Sequence, residues 1–134
     1  MRIYLAGPLF TPYERGFIDE CAARLRAEGF EVFVPHEEAL ATEGLSADEI
    51  FRRDAAAIGS AEAMLAVLDG PSVDDGTACE IGLFHALDRG PVVGLLTDFR
   101  GGVNLFVRGC VEARGELCTS LEDAIEVLQR WRSS

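Results

Sequence analysis

Between Leu68 and Leu87 the chain reads LDGPSVDDGTACEIGLFHAL, which brings Asp69, Asp74, Asp75 and Glu80 close together in sequence. The apolar run Met64 to Leu68 ends there in an acidic turn containing Gly70 and Pro71, and a helical pattern restarts at once. Such a sequence is the signature of a buried strand, a short loop and the first turn of a helix. Ligands of open α/β sheets bind outside the carboxyl ends of the strands. Four acids at that place suit chemistry on a neutral or cationic centre rather than the cradling of a phosphate.

Glu80 has two readings. In a helix starting near Thr77 it shares a face with Phe84 and Leu87, so its carboxylate points inward while a nearby helix N-terminus favours the anion. The same residues, Thr77-Ala78-Cys79-Glu80, also match S/T-x-x-E, a capping box in which Glu80 only caps the helix. Asp74 and Asp75 divide similarly between site acids and turn or N-cap residues. Asp54 is a third case: it stands between Ile50 and Phe51 on one side and Ile58 on the other. An acid inside an apolar stripe is costly unless paired or used, and a solvated place at the stripe's edge is the plain alternative.

The elements that must position these acids follow in order. Met1 to Ala6 predicts a first strand starting at the N-terminus, broken by Gly7-Pro8. Thr11-Pro12-Tyr13-Glu14 combines an N-cap, Pro at the first helical position and Glu two residues on, with Phe17, Cys21 and Leu25 inward and Gly29 at the end. Glu31 to Val34 predicts a second strand, and His36 to Leu45 a polar loop able to close over a pocket. Ser46 opens a helix to about Ser60. Val92 to Leu96 predicts a fourth buried strand and Thr97 to Val103 a Gly-rich loop. Asn104 to Val111 is a short helix or loop, Glu116 to Cys118 a last strand, and Thr119 to Glu122 the cap of a closing helix with Ala124, Ile125, Leu128 and Trp131 inward. Continuous rather than alternating apolar strands, each followed by a helix, predict a doubly wound parallel five-stranded sheet covered on both faces. Neither G-x-G-x-x-G nor a P-loop is present, so nothing points to a dinucleotide or triphosphate.

Composition narrows the field. The chain has 134 residues, 49% of them apolar, and is expected to form one domain over 1–134. Twelve Lys and Arg against 23 Asp and Glu leave a net charge of −11, which excludes nucleic-acid backbone as a natural partner. No stretch approaches the ~20 apolar residues of a membrane span. Cys21, Cys79, Cys110 and Cys118 lack C-x-x-C pairing or metal spacing and read as buried free thiols of a cytoplasmic protein, and two isolated histidines suggest no zinc site. A metal-independent protein is expected.

Several of these segments together resemble the nucleoside 2-deoxyribosyltransferase family. They are IYLAGPLF at Ile3 to Phe10, Asp54, GPSVDDGTACEIG at Gly70 to Gly82, and Val103-Asn104-Leu105. The most specific part is D-x-G-T-x-x-E-x-G starting at Asp74, and the likeness runs through nearly the whole chain. The wider family includes nucleoside 5′-monophosphate N-glycosidases. The resemblance implies a flavodoxin-like fold, no cofactor, nucleosides and nucleobases as ligands, and a homo-oligomer with shared active sites. It implies that Glu80 attacks C1′ of the sugar, that Tyr4 orients it, and that Asp74 and Asp54 handle the base. Gly7, Phe10 and Gly76 fall within its substrate-binding motifs. Asn104 matches an asparagine lent by a neighbouring subunit to the 5′-hydroxyl, and Phe106, where some transferases carry Met, falls at the sugar's edge.

The implied chemistry is coherent. Departure of a base leaves oxocarbenium character at C1′, which a carboxylate stabilises and traps covalently, while a protonated carboxyl feeds the leaving base. Re-entry of a second base is transfer; re-entry of water is hydrolysis. The alternatives to a transferase are a nucleotide hydrolase, whose phosphate would need donors such as Arg15, Arg100 or Arg108, and a non-catalytic nucleoside-binding domain.

Overall fold

A computed structural model of the protein describes residues 1–38, 43–98 and 102–134. Five strands and five α-helices alternate along it. The order is β1 (Arg2–Ala6), α1 (Pro12–Ala27), β2 (Glu31–Phe33), a 3₁₀ turn (Pro35–Glu38) and α2 (Ala47–Ser60). There follow β3 (Ala63–Val67), α3 (Asp75–Leu87), β4 (Val92–Leu95), α4 (Leu105–Glu112), β5 (Leu117–Cys118) and α5 (Leu121–Ser133). All neighbouring strands are parallel, in the order β2-β1-β3-β4-β5. This is the flavodoxin-like order, and the chain reverses its direction of winding between β1 and β3, where such sheets hold their ligands. The strand of the acidic stretch is therefore central, and every residue of β3 is buried.

Alternation along the central strands divides the core into two layers. Ile3, Leu5, Leu65 and Val67 face α1 and α5. Tyr4, Ala6, Met64 and Ala66 face the opposite way, toward Ile58 of α2, Ile81 and Phe84 of α3, and Val111 of α4. Pairing of Tyr4 with Met64 and Leu5 with Leu65 keeps the two sets in register. A slip of one residue would turn Tyr4 out of the layer that holds the helix of Glu80.

The predicted helix starts at Thr11 and Ser46 are capping boxes as expected, with reciprocal bonds to Glu14 and Glu49. The predicted box at Thr77 is not one. α3 begins earlier, at Asp75, and its N-cap is Asp74, whose Oδ2 accepts from the Thr77 N–H at 2.9 Å and the Thr77 hydroxyl at 3.0 Å. Thr77 thus lies within the first turn, fully buried, and Glu80 is too far along the helix to reach the cap. Leu87 does not join the inward face: it is 43% exposed in the last turn. Asn104 to Val111 resolves as a helix rather than a loop. Of the loop predicted from His36 to Leu45, residues 39–42 lie outside the described residues. So do residues 99–101 of the Gly-rich loop, with Arg100 among them.

Candidate active site

Beyond the carboxyl ends of β1 and β3, on the α2/α3 side, opens a cavity of about 600 Å³. That is the size of small-molecule sites in general. The segment directly after β1 contributes Gly7, Leu9 and Phe10; α3 contributes its N-cap Asp74 and then Gly76, Cys79, Glu80 and Leu83. The opposite wall is the face of α2 carrying Phe51, Asp54, Ala55 and Ile58, with Pro35 of the 3₁₀ turn alongside. Gly7 sits in a close approach: a Cβ there would stand 2.6 Å from Ile18 Cδ1 and 3.0 Å from Val67 Cβ, so a larger residue would push on both.

Under this cavity the phenol of Tyr4, fully buried in β1, donates a hydrogen bond to Glu80 Oε2. The ring of Phe33 stacks on Tyr4 with centroids 5.5 Å apart and planes 17° from parallel, which covers one face of the phenol. Burial pushes the Glu80 carboxyl up to about 7; Asp54 and Asp74 add to the rise, and the Tyr4 hydroxyl opposes it by bonding the anion. Tyr4 itself is held far above its ordinary range, first by burial and then by the charge of Glu80, so it remains a neutral donor. Asp54 is raised too, by burial working against the charge of Arg53. Two carboxyl groups with a raised affinity for protons therefore share one apolar chamber with a third, Asp74. That is a setting for proton transfer and nucleophilic attack rather than for binding a cation. Among the described residues no group of three His, Cys, Asp or Glu could hold a metal ion, and no helix is long and apolar enough to cross a membrane.

The structure brings together Tyr4, Gly7, Phe10, Asp54, Asp74, Gly76 and Glu80 of the residues singled out from sequence. Asn104 and Phe106 lie apart from this cavity. Asn104 Oδ1 caps α4 by accepting from the N–H groups of Phe106 at 2.9 Å and Val107 at 3.3 Å, and the Phe106 ring is 81% exposed. Asp69 and Asp75 are also not in the cavity. Asp69 ties down Thr97 through its N–H and hydroxyl, and Asp75 accepts from the Gly76 N–H. Cys79, expected to be buried, is exposed at the cavity wall. The residues not anticipated are the apolar ones, above all Phe51 and Leu83. Their signal was an apolar stripe flanking an acid, which serves a pocket as well as a core. Phe51 at 65% exposure and Phe10 at 76% mark the pocket's rim.

Against known proteins, residues 3–119 match the family model described as nucleoside 2-deoxyribosyltransferase. Among solved structures, a conserved protein from Enterococcus faecalis V583 is 26% identical, with a TM-score of 0.87 over 97% of this chain and 98% of that one. A 2-deoxyribosyltransferase from Bacillus psychrosaccharolyticus is also 26% identical, with a TM-score of 0.79 over 93% of this chain and 90% of its own. The CMP N-glycosidase of Clostridium botulinum is 22% identical, with a TM-score of 0.67 over 96% and 99%; at that identity the likeness speaks for the fold alone. No curated protein sequence matches the chain. The family model spans most of the chain, including both strands and both helices that build the cavity, and on that match the protein belongs to the nucleoside 2-deoxyribosyltransferase family.

Proposed function

We propose that the protein transfers a 2-deoxyribosyl group from one nucleobase to another through a covalent ester on Glu80. The observation that carries this is the Glu80 carboxyl, held by a buried phenol at the wall of a cavity whose other ionisable carboxyls are Asp54 and Asp74. An Oε atom of Glu80 attacks C1′ as the C1′–N bond breaks, and the bond's electron pair leaves on the base nitrogen. Asp54, whose burial favours the neutral form, or Asp74 gives that base a proton. A second base then attacks C1′ of the ester, loses its proton to the same acid, and restores the carboxylate.

The nucleoside, rather than its 5′-monophosphate, is the substrate in this proposal. Among the described residues the cavity is lined by no Lys or Arg. Arg15 donates to the Leu9 carbonyl at 2.9 Å, and Arg108 pairs with Glu112 at 2.8 Å. A phosphate desolvated beside three carboxyls would lose several kcal/mol. The site is completed by a second copy of the chain. Leu105 and Phe106 are 82% and 81% exposed beside Asn104, whose Nδ2 remains available to a sugar hydroxyl once Oδ1 has capped the helix. Incubation of a 2′-deoxynucleoside with a different free base tests the reaction. Exchanged nucleoside, and a higher kcat/KM for nucleoside than for its monophosphate, are expected. Release of sugar phosphate and base alone, with monophosphate preferred, would show a hydrolase instead.

A further inference from the structure

A second cavity, of about 250 Å³, lies at the free edge of β2, against another face of α2. β2 is the outermost strand and only three residues long, so no further strand covers β1 on that side. The parallel register sets Phe33 directly beside Tyr4, and the two rings stack on the face of the sheet that holds α2. Phe33 also lines the edge cavity, and it therefore stands between that opening and the phenol. Among the described residues it is the only aromatic there. α2 brings Ala57, Ser60 and Ala61 to the same cavity, none with the bulk to replace the ring, and Val32 packs into the opposite layer. Behind Phe33, Tyr4 is fully buried and its hydroxyl holds Glu80.

We propose that Phe33 is a positioning residue of the active site: its ring closes the Tyr4–Glu80 pair to the edge cavity, so that water reaches Glu80 from the substrate side alone. A carboxyl hydrated from behind would ionise nearer its ordinary 4.5, whereas burial lifts this one to about 7. Kept dry on that side, the anion has less water to shed as it attacks C1′; this consequence rests on the transferase reading. Charge does not account for the effect. The groups facing Glu80 are Tyr4 on β1, Asp54 on α2 with Arg53 beside it, and Asp74 at the start of its own helix, and no change at Phe33 alters their charge. β3 and β4 bring no titratable group, and on α4 Arg108 and Glu112 pair with each other at 2.8 Å. The edge cavity carries Arg2, Arg26, Glu31 and Glu37. Arg2 pairs with Glu62 at 3.9 Å and Arg26 with Glu37 at 2.7 Å. Glu31 is an anion and would raise the Glu80 carboxyl, the opposite of what water does.

Carbon-13 NMR of protein labelled at its glutamate carboxyls reads the titration of Glu80 without any turnover, its signal assigned by its loss in Glu80→Gln. In Phe33→Ala the midpoint should fall by about one pH unit. Phe33→Leu, which keeps the layer filled but covers less of the phenol, should fall by a smaller amount and serves alone if the alanine variant does not fold. The sign separates two roles. If Phe33 only held Tyr4 in place, its removal would loosen the bond that favours the Glu80 anion, and the midpoint would rise. A midpoint that rises or stays put in a folded variant would overturn the closure. In exchange assays the low-pH limb of kcat/KM should move down with the NMR midpoint. A fallen midpoint in protein that exchanges no base would remove the transferase proposal and keep the role of Phe33, whereas exchange with an unmoved midpoint would do the reverse.

Discussion

Replacing Glu80 by Gln should stabilise the protein, and increasingly so as the pH rises. Folding lifts the Glu80 carboxyl from its ordinary 4.5 to about 7, mainly by burial. Between those values the folded state binds more protons at this site than the unfolded state, so the contribution of Glu80 to stability falls as pH rises and is fully lost above about 7. The whole interval corresponds to ~3 kcal/mol. Gln keeps the shape and an oxygen that accepts from Tyr4, but it does not ionise, so it lacks this loss. Between about pH 5.5 and about pH 8 the stability of Glu80→Gln minus that of the wild type should grow by ~2 kcal/mol. Urea unfolding followed by circular dichroism at both pH values reads this directly, as a midpoint difference that widens by roughly 1 M for an m-value near 2 kcal/mol/M. Titrating groups that do not interact with Glu80 are common to both proteins and cancel, and the loss of repulsion from Asp54 and Asp74 in the variant acts in the same direction, favouring Glu80→Gln as those acids ionise. The same variant should have no exchange activity, a stabilised protein without its function. A difference that stays constant with pH, or a variant less stable near pH 8, would refute the account of Glu80 as a buried, cavity-facing carboxylate.

Further expectations follow from the neighbours of Glu80. In the proposed reaction Glu80 attacks as the anion, so kcat/KM should rise with pH through about 7. Tyr4→Phe removes the bond that favours the anion and should move that limb up by about one to two pH units, the worth of a hydrogen bond to a charged group; an unmoved limb would deny Tyr4 the role. Asp54→Asn should slow exchange of natural bases by ~10²-fold or more while costing far less with nucleosides of good leaving groups. Asp74→Asn should do likewise with little change in stability, since Asn caps helices as well as Asp does; equal losses on both substrate types would count against a role at the base. Mixing inactive Glu80→Gln with inactive Asn104→Ala should restore part of the activity if the site is shared between subunits, and a fully active monomer in sedimentation would remove that arrangement.

The parallel sheet was legible because strands buried on both faces read as unbroken apolar runs, as Met64 to Leu68 and Val92 to Leu96 do. Asp54 and Glu80 were legible as acids set on apolar helical stripes and Asp74 as an acid in the turn after a buried strand, whereas Tyr4 entered only through the family resemblance. The cavity's apolar wall was not, because Phe51, Ala55 and Leu83 satisfy the same helical periodicity whether they pack against a sheet or line an open chamber. Cys79 was misplaced for a related reason. Its apolar neighbours in sequence predict burial, but on α3 it projects at the cavity wall rather than into the layer of Ile81 and Phe84.

The failed capping box at Thr77 shows how two roles that look interchangeable in sequence exclude each other in space. A box would have spent Glu80 on the backbone N–H of Thr77. Instead Asp74 caps the helix three residues earlier, and the Thr77 hydroxyl, fully buried, closes against it. Two consequences follow from that shift of start. Glu80 moves to the second turn of α3, away from the orphan N–H groups that would hold down its charge, and faces the Tyr4 phenol as its donor. Asp74, fixed by two hydrogen bonds to its own helix, is held at the cavity without needing a partner from another element. The cap therefore sets the orientation of one carboxyl and leaves the other free to face the Tyr4 phenol and the cavity, and both outcomes trace to Asp74 rather than Thr77 beginning the helix.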